Sequence, residues 1–296
     1  MKKLLLSLSL IVALVAPVIG YAQNGEKVVS VTVSAYSGAA GILDEYFLNQ
    51  QYLGTIKGFQ AKVGAMYKKN ENLSWDLYGR TYKAEKGDSE LLSGIGLWNP
   101  ARTSGVTLQA YSAGYGTYYN WTIGQKLQLK AGGILDFYGG FKQGYPDSFN
   151  NAANFEGQIM IKAAGGIKYG WDFKKWGLDL YANMSLPVFG LFIADHKYEA
   201  ALTASALKML FGQGSFMGNS FNHLFFGSYH NYQSFDFDLG VDFVFKPFSF
   251  GFSINQTKKW WNEYDVQNIR DYVMFNINVG VDLVSRSKHK SSNKYF

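Results

Sequence analysis

The chain of 296 residues has no cysteine, five prolines and four histidines. Without cysteine there is no disulfide scaffold, no thiolate metal site and no lipidated thiol. Charged residues make up 17% of the chain, below the roughly 25% of an ordinary soluble domain. Hydrophobic residues reach 47%, with 23 phenylalanines, 21 tyrosines and 33 glycines, which argues against disorder. The net charge is +6, with no long basic run before the tail, so nothing points to nucleic acid. P-loop, Rossmann glycine turn and zinc signatures are all lacking.

Lys2 and Lys3 precede an apolar run from Leu4 to Val18, and Gly20 and Ala22 place small residues before Gln23. This is the pattern of a secretory signal peptide over 1–22. Ser7, Ser9 and Pro17 interrupt the run, which weighs against an uncleaved membrane anchor. The expected organisation is a barrel over 23–286 and a basic periplasmic tail over 287–296.

Beyond residue 22 no segment is apolar enough for a spanning helix. Instead a two-residue rhythm runs through the chain. Phe235, Phe237, Leu239, Val241, Phe243 and Phe245 alternate with Asp236, Asp238, Gly240 and Asp242. Val273, Phe275, Ile277, Val279, Val281 and Leu283 alternate with Asn276, Asn278, Gly280 and Asp282. Successive side chains of a strand point to opposite faces, so each segment has one apolar and one polar side. Ten strands are read, at 28–37, 55–68, 72–82, 105–120, 126–140, 154–171, 176–185, 222–245, 247–256 and 270–285; a count of twelve stays open, because strand eight is long enough to hide a turn near Tyr229–Tyr232 and the alternation blurs in strand four. Several exceed the roughly 9–11 residues that cross a bilayer at a tilt. In lipid every backbone polar group needs an internal partner, which leaves a closed barrel. The fold class predicted is therefore all-β, a transmembrane antiparallel up-and-down β-barrel.

The connections agree. Links after strands two, four, six and eight are short, while those at 38–54, 83–104, 141–153, 186–221 and 257–269 are long. Outer-membrane barrels have an even strand number, short periplasmic turns and longer outer loops. Both termini then fall on the periplasmic side. Trp75, Trp121, Trp171 and Trp176, four of seven tryptophans, lie beside the short turns, where they would form an aromatic girdle at the headgroups.

By parity the lumen receives Lys62, Asp76, Arg80, Lys130, Asp136, Glu156, Lys162, Lys168, Asp179, Asp236, Asp238, Asp242 and Asp282. Eight strands give a barrel just wide enough to be filled by its own side chains, and wide channels appear near sixteen. Ten strands predict mostly paired charges and at best a narrow path. A charge-selective pore or small-solute site with an acidic wall is the functional counterpart. Asp236, Asp238 and Asp242 lack the wrapping loop a calcium site needs. No metal or cofactor is called for.

Asp195–His196 lies in the longest outer link, and a carboxylate can orient an imidazole as general base. Neighbours on an extended chain point apart, however. The chain resembles outer-membrane proteases in length and strand count, but lacks their spaced aspartate pair and aspartate–histidine pair. Ser228, His230 and Asn231 have the residue types of outer-membrane phospholipases without that family's order and spacing. No catalytic residue is assigned, and a hydrolase acting on lipid or peptide at the outer rim is the alternative function.

Two segments carry a family resemblance. Leu43–Gly54 reads LDEYFLNQQYLG and Gly227–Ser234 reads GSYHNYQS. With Thr257–Trp261 and the closing strand to Val284, they resemble an uncharacterised outer-membrane barrel family of Bacteroides-type Gram-negative bacteria, defined as a domain of unknown function. The resemblance implies fold and location, and brings no reaction, ligand or catalytic residue. The function expected is a structural or accessory outer-membrane barrel, or a narrow porin-like pore, with membrane lipid as its surroundings. A small solute, a protein partner and the oligomeric state stay open.

Overall fold

The computed structural model describes residues 26–44, 48–67, 72–86, 107–124, 126–143, 153–173, 175–194, 224–228, 232–263 and 266–285. The signal peptide expected over 1–22 and the tail expected over 287–296 lie outside them. Eleven strands are formed: β1 Glu26–Asp44, β2 Leu48–Tyr67, β3 Leu73–Lys86, β4 Thr107–Ile123, β5 Leu127–Gln143, β6 Ala153–Asp172, β7 Gly177–Ala194, β8 Leu224–Ser228, β9 Tyr232–Phe245, β10 Phe248–Glu263 and β11 Val266–Ser285.

Apart from β8 and β9, consecutive strands pair antiparallel, β1 pairs with β11, β7 pairs with β9, and the ring closes. Closure leaves no edge, which is what a strand in lipid requires. β8 and β9 both pair with β7, β8 against Phe189–Ile193 and β9 against Gly177–Ser185. They are two pieces of one stave, so eleven strands make a barrel of ten staves.

Pro187 explains the break. It sits between the two stretches of β7 that pair with β8 and β9, and proline has no N–H to give a ladder on either side. On the other edge of β7 the register against β6 shifts between Ile161 and Lys162. Val188 and Phe189 are consecutive and both exposed, as a bulge that reverses side-chain parity requires. The single strand read over 222–245 is thus interrupted.

The strands also run further than read. β1 continues to Asp44, β2 begins at Leu48, β7 continues to Ala194, β10 reaches Glu263 and β11 begins at Val266. Most of 38–54 and 257–269 is therefore strand, and β4 holds Trp121. The four short connections do lie at one end, β2 to β3, β4 to β5, β6 to β7 and β9 to β10. Gly124 in the second of them has φ +64°, a left-handed conformation that glycine adopts without steric penalty. Val28 pairs with Ser285, so the first and last strands end there too.

Large apolar side chains cover the outside. Phe59, Ile161, Leu239, Phe275, Ile277 and Val279 are each half or more exposed, and further aromatics continue the belt. A water-facing sheet hides such residues; lipid is the solvent that accepts them. Val63 and Ala65 share the outward face but are buried with Val29 and Val31, with Trp75 and Val281 packed against them. Trp121 stands 4.8 Å from Tyr119, Trp171 4.5 Å from Tyr169 and Trp176 4.2 Å from Phe173. Trp75 is 6.3 Å from Tyr115. Trp75, Trp121 and Trp171 are at the short-turn end of their strands, and Trp176 lies in the short turn just before β7.

Candidate functional site: the lumen

The inward face is filled in layers. Toward the long-link end, Tyr36, Ala40, Ile42, Ile56, Tyr82, Ala84, Leu108, Ala110, Tyr138, Tyr272 and Met274 form one buried cluster. Tyr82 bridges it, with its ring 5.8 Å from Tyr36 and 6.3 Å from Tyr272. These are the even positions of β1, β2, β3, β4, β5 and β11, so residues from more than half the ring meet at the axis.

Charge is held within and beside this cap. Arg270 on β11 is fully buried and forms a two-pronged ion pair with Glu156 on β6. The Tyr138 hydroxyl donates to Glu156 at 2.7 Å. The Lys259 ammonium stands 3.8 Å from the Tyr138 ring centre and donates to Gln158 at 3.5 Å. Tyr232 donates to the same amide at 3.3 Å and lies 4.3 Å from Phe192. A bidentate guanidinium–carboxylate pair is the geometry best able to offset removal from water.

Below the cap, Lys162 joins Asp136 at 2.7 Å and Asp236 at 2.9 Å. Tyr78 donates to Asp136 at 2.5 Å, while Ser185 and Thr257 donate to Asp236 at 3.2 and 2.9 Å. Lys62 pairs with Asp76 at 2.9 Å, and Tyr118 donates to Asp76 at 3.2 Å. Lys130 stands 4.6 Å from the Tyr118 ring centre. Nearer the short turns, Lys168 faces Asp179 at 3.4 Å.

Two cavities of the lumen are lined by the described residues. The smaller, about 20 Å³, touches Arg80, Asp136, Lys162, Asp236 and Lys259, enough for about one ordered water. The larger, about 170 Å³, lies below the cap. Its wall carries Lys62, Arg80, Lys130 and Lys168 against Asp76, Asp236, Asp238 and Asp242, in equal number. Neutral hydrogen-bonding groups complete it, including Ser34, Ser253, Asn276 and Asn278 on β1, β10 and β11. Asp242 and Ser249, on either side of the Lys246–Pro247 turn, take the cavity down toward the short-turn end.

The sequence-derived residues thus occupy three places. Glu156 belongs to the cap, Asp136 and Lys162 to the layer beneath it, and eight others to the wall of the larger cavity. Asp179 pairs with Lys168 and is buried. Asp282 shares the face of Asn276 and Asn278 at the short-turn end. Arg270 and Lys259 were not among them. Arg270 has the even parity of Asn276 and Asn278, and that signal was available; Lys259 lay beyond the point where the strand was read to end. His196, His230 and Asn231 lie outside the described residues, as does the side chain of Ser228. Among the described residues no group of three or more histidines and carboxylates stands close enough to hold a metal.

The course of the chain is similar to that of several solved outer-membrane proteins. The outer membrane protease OmpT from Escherichia coli is 9% identical, with 87% of this chain and 97% of that one covered and a TM-score of 0.44. Neisserial surface protein A (NspA) is 12% identical, covering 85% and 96%, with a TM-score of 0.33. Ail, the attachment invasion locus protein of Yersinia pestis, is 12% identical over 85% and 99%, with a TM-score of 0.27. No curated protein matches. A family model defined as a protein of unknown function matches residues 3–279, and the chain therefore belongs to the DUF3316 family.

Proposed function

We propose that this protein is an outer-membrane barrel, exported by its 1–22 leader, that acts as a closed structural scaffold and not as a conducting pore. Its short turns and both chain termini face the periplasm, the tryptophan-rich rim lies at the inner headgroups, and lipid surrounds the apolar belt. The observation that carries the reading is the cap: Tyr82 between Tyr36 and Tyr272, with Arg270 and Glu156 locked beside it, occupies the axis of a ring of ten staves. No small ion passes a layer of interlocked rings without displacing them, and a hydrophobic constriction of this kind also opposes wetting.

Planar-bilayer conductance of the refolded full chain tests it. Wild type is expected to give a silent membrane, and a triple replacement of the cap, Tyr82→Gly with Tyr272→Gly and Arg270→Gly, to give discrete openings. Wild-type openings whose size changes with Asp238→Asn would make the lumen a charge-selective pore and overturn the closed reading.

A further inference from the structure

The pairing within the larger cavity is incomplete, and the remainder has a definite arrangement. Arg80 donates to the Gln60 amide and, at 3.4 Å, to the Tyr82 hydroxyl, and it stands 4.9 Å from the Tyr78 ring centre. No carboxylate lies within 4.0 Å of it among the described residues. Asp238 and Asp242 likewise have no cation within that distance among the described residues, and one oxygen of Asp238 is buried without a hydrogen-bond partner. Arg80 belongs to β3, and both aspartates belong to β9. Five steps separate those strands in either direction round the ring, so the guanidinium and the carboxylates face one another from opposite walls of one cavity, their charges acting across it without a direct ion pair.

Charges held apart across a cavity forgo the charge-assisted hydrogen bonds of direct contact, which are the strong ones. A simple anion on Arg80 would face the aspartates, and a simple cation on the aspartates would face Arg80. A neutral polyol would leave both sets unmatched. A molecule carrying both charges satisfies both walls. The volume of about 170 Å³ is close to the roughly 150 Å³ of a protein cavity that admits one benzene, the scale of a small amino acid. We propose that the lower lumen is a binding site for a small zwitterion, whose carboxylate meets Arg80 and whose ammonium meets Asp238. It goes beyond the closed-scaffold reading and rests on it in one respect: the cap makes the site a dead end, entered from the short-turn side.

Isothermal titration of the refolded full chain in detergent micelles tests the site, with glycine, β-alanine and γ-aminobutyrate as zwitterions of increasing charge separation. Acetate, methylammonium and glycerol are the comparison probes. At least one zwitterion is expected to bind, and each single charge to bind about tenfold more weakly or worse, as loss of one charge-assisted contact implies. Arg80→Gln and Asp238→Asn are each expected to weaken the zwitterion by about tenfold or more. Circular dichroism confirms that each variant is a folded barrel, and Asp242→Asn replaces Asp238→Asn if the latter does not fold. Absence of binding by all three zwitterions overturns the proposal, as does glycerol binding equally well with no response to either variant. Conducting wild-type protein that still binds a zwitterion would end the closed-scaffold reading alone.

Discussion

At the scale of the residue, the buried Arg270–Glu156 pair separates what holds this barrel from what merely lines it. Both groups are almost completely removed from solvent, and Tyr138 supplies a further hydrogen bond to the carboxylate. Removing one member strands the other charge, which typically costs about 3–5 kcal/mol, whereas replacing both with apolar groups of similar volume is often neutral or stabilising. Arg270→Met is therefore expected to lower stability by about 3–5 kcal/mol, and Arg270→Met with Glu156→Leu to recover most of it. Urea unfolding in micelles measures both; a single variant within about 1 kcal/mol of wild type would mean that water reaches the pair. The sequence made one half of this pair legible. Parity put Glu156 inward, but no local pattern says which of several inward cations, far apart in sequence, will meet it. Ion pairing is set by strand register around the whole ring, and register depends on contacts that periodicity does not encode.

At the scale of the element, alternation was readable wherever the two faces meet different solvents. In the belt, lipid outside and charge inside impose opposite residue types on consecutive positions. Toward the long links that contrast fades. Outward Lys57, Lys83 and Gln109 are aligned by strand pairing and exposed, so the outer face turns polar and the alternation stops short of the strand ends. Pro187, by contrast, is a visible interruption in a strand pattern, and it accounts for the split of β8 from β9. Neighbouring strands are further matched by size. Tyr78 of β3 pairs in register with Gly114 of β4, and a Cβ on that glycine would come within 2.5 Å of the tyrosine ring and hydroxyl. The same tyrosine donates to Asp136 across β4. Gly114→Ala is accordingly expected to displace the ring, break that hydrogen bond and destabilise the barrel by about 1–3 kcal/mol, the usual range for overpacking. Denaturant midpoints of Gly114→Ala and of Gly114→Ala with Tyr78→Phe measure this; if removing the hydroxyl recovers nothing, the strain lies in the backbone and not in the tyrosine.

At the scale of the whole molecule, one physical fact organises the rest: the surface that would be a core in water is turned outward. Ile277 is 50% exposed near the middle of β11, between Ala35 of β1 and Phe252 of β10. In water a lysine there would add solubility at little energetic consequence. Facing hydrocarbon near the midplane, lysine on a barrel is unfavourable by about 2–4 kcal/mol, falling to about 0–1 kcal/mol near the interfaces. Gln109 supplies the internal reference, being outward and exposed beside Lys83 at the long-link end. Ile277→Lys is thus expected to destabilise the protein by about 2–4 kcal/mol in lipid vesicles and Gln109→Lys by no more than about 1 kcal/mol. Urea unfolding of vesicle-inserted protein gives both numbers. Equal effects at the two positions would place water against the belt, and with it remove the physical basis for a barrel that spans a membrane.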